Sequence, residues 1–415
     1  MSAPVTGQSA APSPAAVFVL LSASTLTVMA GTVLSPVLTA IRHDLDLTET
    51  TAGLLLTAHG LSLAVTSPLA GRLVDTLGPR RLLSAGLLLY GVAGSSGLLT
   101  TSYPVLIALR LLFGVGAAVV FVAATVALLS LCSGTGQDRL IGWRSVAISC
   151  GGIVWPLVSG ALGSIAWSWS FAVYFVAVPL GVMALFTVPE SRVSSAGPRV
   201  GSLVLLRRKP VLLSLYALSF LSSLLLYVMA GFLPQRLAET GLSHPFLISL
   251  YIMATSLFGT LGGLAYVRFR GRLQHQTVIR TAAVCWMVGL VVAGLADRPV
   301  LLILAPAFFG SGMGIAVPAL TVLIGRAAPP SARGLATSMS ATAAFTGQFC
   351  APLLIGPLIG ATSLGTGFLA AAAIAAVVVI SLSAGWRLSC SAGPDTAPPD
   401  TIRRSANRPD TTEVH

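Results

Sequence analysis

Apolar residues fall along this chain in twelve stretches, at 16–41, 51–72, 82–100, 103–131, 142–163, 171–188, 211–235, 245–267, 277–296, 299–325, 334–360 and 365–386. None shows the period-two alternation of a half-buried strand. Each is close to the ~20 residues that carry a helix through the hydrocarbon core of a bilayer. In lipid a single segment satisfies its own backbone hydrogen bonds only as a helix. The pattern predicts an all-α membrane protein with twelve transmembrane helices.

The pattern is also written twice. Arg110, Phe113, Gly114 and Gly116 recur in register 196 positions later as Pro306, Phe309, Gly310 and Gly312, and Gly151, Pro156 and Gly160 recur at the same offset as Gly347, Pro352 and Gly356. Two elements repeated in order at one spacing predict an internal duplication into two pseudo-symmetric six-helix bundles, 16–188 and 211–388. Residues 189–210 are the one plausible linker between them. The segment 1–15, rich in Ala, Pro and Ser, is expected to be a disordered cytoplasmic N-terminus with no cleaved signal, and 389–415, without apolar periodicity, a disordered cytoplasmic tail.

Composition agrees with a lipid solvent: 55% of residues are hydrophobic, 9% are charged, and the mean hydropathy is +0.90. The net charge of +12 is unevenly placed. Arg72, Arg80 and Arg81 follow the second stretch, Arg192, Arg199, Arg207, Arg208 and Lys209 the sixth, and Arg268, Arg270, Arg272 and Arg280 the eighth. The opposite loops hold Arg42, Arg236 and Arg298 against Asp44, Asp46, Glu49, Glu239 and Asp297. The positive-inside rule then puts both termini and the linker in the cytoplasm. Without a soluble basic domain, nucleic acid is not an expected partner. No extramembrane segment is long enough for a catalytic domain, and no metal-ligand cluster, nucleophile set or phosphate loop appears, so neither an enzyme, a metal site nor a cofactor is expected. The five cysteines have no metal-like spacing and read as small buried hydrophobes.

Three local patterns carry chemistry. The first runs Gly71-Arg72-Leu73-Val74-Asp75-Thr76-Leu77-Gly78-Pro79-Arg80-Arg81: Gly71 allows close approach, Gly78 a tight turn, and Asp75 can pair with arginines or a helix N-terminus. The second is Arg110 followed by Gly114 and Gly116. An arginine roughly 10 Å below the outer surface, by helical rise, is costly in lipid and is expected to face a wet cavity or a partner, unless it snorkels. His59, the one histidine within a stretch, lies at similar depth and reads either as a coupling residue or as hydrogen-bonded packing. The third is Gly142, Gly151, Trp155-Pro156 and Ser159-Gly160, whose small residues permit a kink and close helix contact.

These patterns resemble signatures of the major facilitator superfamily. The first resembles the signature between helices two and three, with Thr76 replacing a basic residue. The second resembles the fourth-helix signature, and the third the fifth-helix signature of drug:proton antiporters, with Trp155 and Ser159 replacing glycines. The resemblance covers nearly the whole chain and implies a secondary active transporter of a bacterial cytoplasmic (inner) membrane, a monomer in the lipid bilayer that exports drugs or small metabolites by proton antiport with alternating access. An importer or uniporter for metabolites or anions, and a non-transporting sensor, stay open. Gly71, Asp75, Gly78, Arg80 and Arg81 are then expected to form a cytoplasmic latch. It should be one-sided, because Gly262–Arg272 has Tyr266 and Val267 where an aspartate would stand.

No Asp or Glu lies inside any stretch, so a proton would have to be handled by Asp75, by His59 with Arg110, or by an outer acid such as Asp44. A cavity without a carboxylate favours a neutral or anionic amphipathic small molecule, with Arg110 as counter-charge. By analogy with the superfamily, helices one, four, seven and ten line it. Thr25, Met29, Thr32, Tyr216, Phe220 and Tyr227 lie on helical stripes, and Phe113, Phe308, Phe345 and Gln348 are expected to add aromatic and amide contacts.

Overall fold

The computed structural model describes residues 13–131, 135–190, 205–207, 209–269, 274–329 and 332–384. The tail expected at 389–415, residues 1–12 of the N-terminus and most of the 189–210 linker lie outside them. Among the described residues the chain is helical, with no strand.

The first span is Pro14–Thr32, started by the Ser13 side chain accepting from the Ala16 N–H, and continued after a 3-10 turn at Ser35–Val37 by Leu38–Asp44. Pro36 accounts for the turn, since it has no N–H to offer the preceding helix. The second is Glu49–Leu77, capped by Thr48 and ended by Gly78. Gly78 has φ +81°, a conformation side chains disfavour, and its turn leads directly into the third span, Pro79–Ser95. The fourth is Tyr103–Ser130, the fifth Thr135–Gly163, and the sixth a 3-10 segment Trp167–Val176 followed by Ala177–Thr187. The seventh to ninth are Val211–Glu239, Pro245–Phe269 and His275–Leu295. The tenth comprises Pro299–Leu302 and Leu304–Ala327, the eleventh is Arg333–Ala361 and the twelfth Leu364–Ser383. Eleven of these described spans are long and apolar enough to cross a bilayer. The third is shorter, 17 residues, and a 3-10 turn at Ser96–Leu98 prolongs it.

Packing reproduces the repeat. In the first half span 1 packs on 5, 2 on 4, and 3 on 4 and 6; in the second half 7 packs on 11, 8 on 10, and 9 on 10 and 12. Adding six to each number turns one set into the other. The register holds down to single residues: Gly114 lies on the His59 carbonyl and Gly310 on that of Thr255, positions 196 apart. A Cβ at either glycine would collide with that backbone, so the small residue sets the helix spacing. Each half closes around its own apolar core.

The halves meet through span 2 on 11 and span 5 on 8. These contacts lie toward the end remote from the chain's ends: Gly53 against Pro352, Thr50 against Gly356, Gly160 against Ser249, and the Ser35 hydroxyl donating to the Ala230 carbonyl. These contacts hold the two bundles together at that end.

Candidate functional site

Between the halves lies a cavity of about 430 Å³ lined by spans 1, 2, 7, 8, 10 and 11. Among the described residues no charged side chain lines it. Its polar groups are Thr27, Thr32, His59, Ser223, Tyr227, Thr255, Ser256 and Gln348, set among apolar neighbours that include Leu63, Met229, Ile252, Val317 and Phe345. At its centre the buried His59 from the first half meets the buried Gln348 from the second, their Nε2 atoms 2.8 Å apart. Two nitrogens at that distance share one proton, so the amide N–H donates to an unprotonated ring nitrogen. The Tyr227 ring centroid is 6.3 Å from that of His59, and its phenol lies against Gly31 and beside Gln348. The three groups form a hydrogen-bonding cross-piece between the halves.

Of the lining residues expected from the sequence, Thr32, Tyr227, Phe345 and Gln348 face this cavity, and Thr25, Met29, Phe113, Tyr216, Phe220 and Phe308 do not. Thr25 accepts from the Trp155 indole at 3.2 Å, Met29 and Phe113 belong to the first core, Tyr216 and Phe220 pack in or against the second, and Phe308 projects outward. Helix four, also expected to line it, supplies none of this cavity's lining residues. Span 4 packs on spans 2 and 3, and it approaches the wall through Phe121, whose ring lies 6.0 Å from that of cavity-lining Phe345.

Arg110 therefore has a partner rather than a wet surface. It is 1% exposed. Its Nε donates to the Leu55 carbonyl at 3.2 Å and one terminal nitrogen to the Tyr174 hydroxyl at 3.2 Å, with the guanidinium carbon 4.9 Å from the Phe113 centroid and 5.4 Å from that of Tyr174. The other terminal nitrogen finds no acceptor among the described residues. Tyr90 closes the box, its ring 4.4 Å from Phe113 and its hydroxyl donating to the Leu26 carbonyl at 2.8 Å. Cation–π contact substitutes for the missing counter-ion. Arg110 and His59 are separated by Phe113, whose ring is 5.8 Å from the imidazole.

The latch residues are placed differently again. Arg80 pairs with Glu190 at 3.0 Å, and the Glu190 side chain also packs on Gly78, so this arginine ties the turn to the end of the sixth span in its own half. Arg81 is exposed. Asp75 is within the second helix, but its side chain lies outside the described residues, as do Arg270 and Arg272. In the fifth span Gly151 packs on Thr25, Gly160 on Ser249, and Pro156 falls within the helix.

Three side chains that make these contacts were not singled out from sequence. Tyr174 and Tyr90 were unremarkable aromatics in apolar stretches, and Glu190 sat at an unreadable boundary. Arg144 is a fourth charge of interest: it donates to the Thr125 hydroxyl at 2.9 Å and lies 5.9 Å from the Phe121 ring, which meets cavity-lining Phe345.

The sequence as a whole matches the model of the Major Facilitator Superfamily over residues 20–352. The chain belongs to that superfamily. It is 30% identical over 339 residues to the chloramphenicol resistance protein of Streptomyces lividans, covering 78% of this chain and 83% of that one. It is 26% identical over 333 residues to the quinolone resistance protein NorA of Staphylococcus aureus (strain MSSA476), covering 78% and 84%. The fold is shared with the inward open conformation of the xylose transporter XylE from E. coli, at a TM-score of 0.73 with 14% identity, covering 91% of this chain and 97% of that one. The nucleoside transporter NupG has a TM-score of 0.69 with 15% identity, covering 89% and 97%. This superfamily member is a multi-pass membrane transport protein and not an enzyme.

Proposed function

We propose that this transporter exports uncharged amphipathic organic compounds of drug size across a bacterial cytoplasmic membrane by alternating access, in exchange for protons. The observation that carries the reading is the central cavity, apolar with hydroxyl, imidazole and amide groups and no charged side chain among its lining residues. A cation there would find no counter-charge, and an anion none either, because Arg110 is buried in the aromatic box of Phe113 and Tyr174. An uncharged molecule with hydrogen-bonding groups would exchange water for Tyr227, Gln348 and the hydroxyls at little cost. The resistance proteins of similar sequence support outward transport and make chloramphenicol, itself uncharged and amphipathic, the natural probe.

The arginine bias supports cytoplasmic termini. With that orientation the end where these contacts join the halves faces the outside, as a state that loads substrate from the cytoplasm for export would need. Cysteines placed at Ser102 and Asp297 should react with an impermeant thiol reagent added to whole cells, and one at Gly136 should not. Export itself is tested in inside-out membrane vesicles. An acid-interior gradient should drive chloramphenicol uptake, and a protonophore should abolish it. Uptake only into right-side-out vesicles under an acid-exterior gradient would make the protein an importer, and flux in neither preparation would remove transport of this compound.

A further inference from the structure

The cavity contains no carboxylate to carry a proton, but the shut outer end contains one in an unusual setting. Where span 1 gives way to span 2, Arg42 meets one oxygen of Glu49 at 2.7 Å. Across the seam, Arg236 at the end of span 7 binds Glu239 at 2.8 Å, Asp297 at 3.0 Å and the Ala293 and Ala296 carbonyls. Each half thus pairs its own cation, and among the described residues no cation of the second half pairs with Glu49.

The leftover lies between them. The Glu49 side chain is 13% exposed, and its second oxygen, Oε2, is buried and accepts no hydrogen bond among the described residues. Beside it lies Gln235 of span 7, 2% exposed, whose amide favours the charged form of the carboxylate, although neither of its polar atoms completes a hydrogen bond among the described residues. The neighbouring groups are few. Arg42 attracts the carboxylate but is 38% exposed, so water screens it, and the Glu239 carboxylate on the same seam opposes a second negative charge. Span 11 presents Pro352 and Gly356 there and no charged side chain, span 4 contributes the Tyr103 phenol donating to the Thr51 carbonyl at 3.0 Å, and His43 and Asp44 are exposed loop neighbours. The Gln235 amide can serve either form, its N–H donating to an ionised oxygen or its carbonyl accepting from a carboxylic acid O–H, so what disfavours the charge at the closed seam is the exclusion of water from Oε2.

We propose that Glu49 is a proton-binding site of the outer seam: its Oε2 takes a proton from outside water as the halves close there and returns it when they part. The proposal rests on the orientation and alternating access of the function proposed above, and not on its substrate. The carboxylic acid then donates to Gln235 Oε1, adding a hydrogen bond between the halves. In the outward-open state Glu49 is wet and beside Arg42, and the ionised form is favoured. The closed seam therefore binds the proton more tightly than the open one, so outside acid favours the state open to the cytoplasm, and that preference is lost as pH rises.

The experiment is a spin-label distance measurement on the full-length protein in lipid nanodiscs, without substrate. Labels at Asp46→Cys and Ser243→Cys, both exposed and on opposite halves, report the seam, in a background with the native cysteines replaced that still folds. From about pH 8 to about pH 5, a range spanning carboxyl titration, the short-distance population should grow several-fold in wild type. Glu49→Gln should show the short distance at every pH, and Arg42→Gln should move the transition to higher pH by removing the cation that favours the charged form. A pH-independent wild type, or an unchanged transition in Glu49→Gln, would overturn the proposal. If Glu49→Gln does not fold, an unmoved transition in Arg42→Gln would overturn it alone. Because no substrate is present, failure here leaves the vesicle assay of export to stand or fall separately.

Discussion

Spans 4 and 10 are one segment written twice, and they differ at the position that matters. Phe113 packs on Tyr90 with centroids 4.4 Å apart, and its counterpart Phe309 packs on Trp286, the counterpart of Tyr90, at 6.5 Å. Three residues before each phenylalanine the copies diverge into Arg110 and Pro306. With the arginine, the helix runs unbroken from Tyr103 to Ser130 and holds a charge inside an aromatic box. With the proline, it is interrupted at Ile303. Pro306 has no N–H to bond the Leu302 carbonyl and its ring crowds that oxygen, so the break falls where the missing bond would have closed. The shared glycine and aromatic register preserves the architecture of both halves, and the differing residue assigns fixed charge to one and a discontinuity to the other.

The sharpest way to break this comparison is to exchange the roles. Arg110→Ala should cost roughly 2–5 kcal/mol, as other large-to-small core changes do, lower the unfolding temperature by several degrees and reduce transport more than about tenfold. Arg110→Lys should restore little, because one ammonium cannot serve the Leu55 carbonyl and the Tyr174 hydroxyl from within the aromatic box. Pro306→Ala should leave stability unchanged or slightly raised by mending the helix. If thermal unfolding and transport show Pro306→Ala to be as harmful as Arg110→Ala, the division of labour between the copies is wrong. A finer test uses the shared register. Gly114→Ala and Gly310→Ala each press a methyl against a carbonyl and should destabilise by similar amounts, about 1–3 kcal/mol for overpacking. Denaturation midpoints that separate the two by much more would show that the packing is not duplicated. The smallest effect belongs to Phe308→Ala, within about twofold of wild-type transport, because this side chain is 41% exposed on the outer surface of the bundle.

Which of these features could be read from sequence follows from their range. The spans, the 196-residue repeat and the glycine pairs were legible because lipid imposes a long apolar period and tight helix contacts demand small residues at fixed spacing. The breaks at Ser35–Val37 and Ile303 had a local signal in Pro36 and Pro306, but the 3-10 course of Trp167–Val176 had none, since a uniformly apolar run carries no signal for a change of helical pitch. For the site, periodicity marked which residues share a helix face but not which face meets the cavity. That choice depends on how each helix is turned: span 4 aims Phe113 and Arg110 into the first half's own core, while spans 7 and 11 aim Tyr227 and Gln348 into the cavity. Gln348 stood out as a lone amide in an apolar stretch. Its partner, 289 residues away in His59, could only be found in three dimensions, as could the box formed by Tyr174 around Arg110.

The central claim is that substrate is bound by an uncharged cavity whose polar contacts span the two halves. The most direct measurement is the equilibrium binding of chloramphenicol to purified protein, followed by ligand-dependent thermal stabilisation, in wild type and Gln348→Leu. Wild type should show saturable stabilisation. Gln348→Leu should remain folded and lose about tenfold in affinity, the equivalent of one net hydrogen bond of ~1.4 kcal/mol, and a permanently cationic compound of similar size should stabilise neither. Unchanged chloramphenicol binding in Gln348→Leu, or saturable binding of the cation to wild type, would contradict the account.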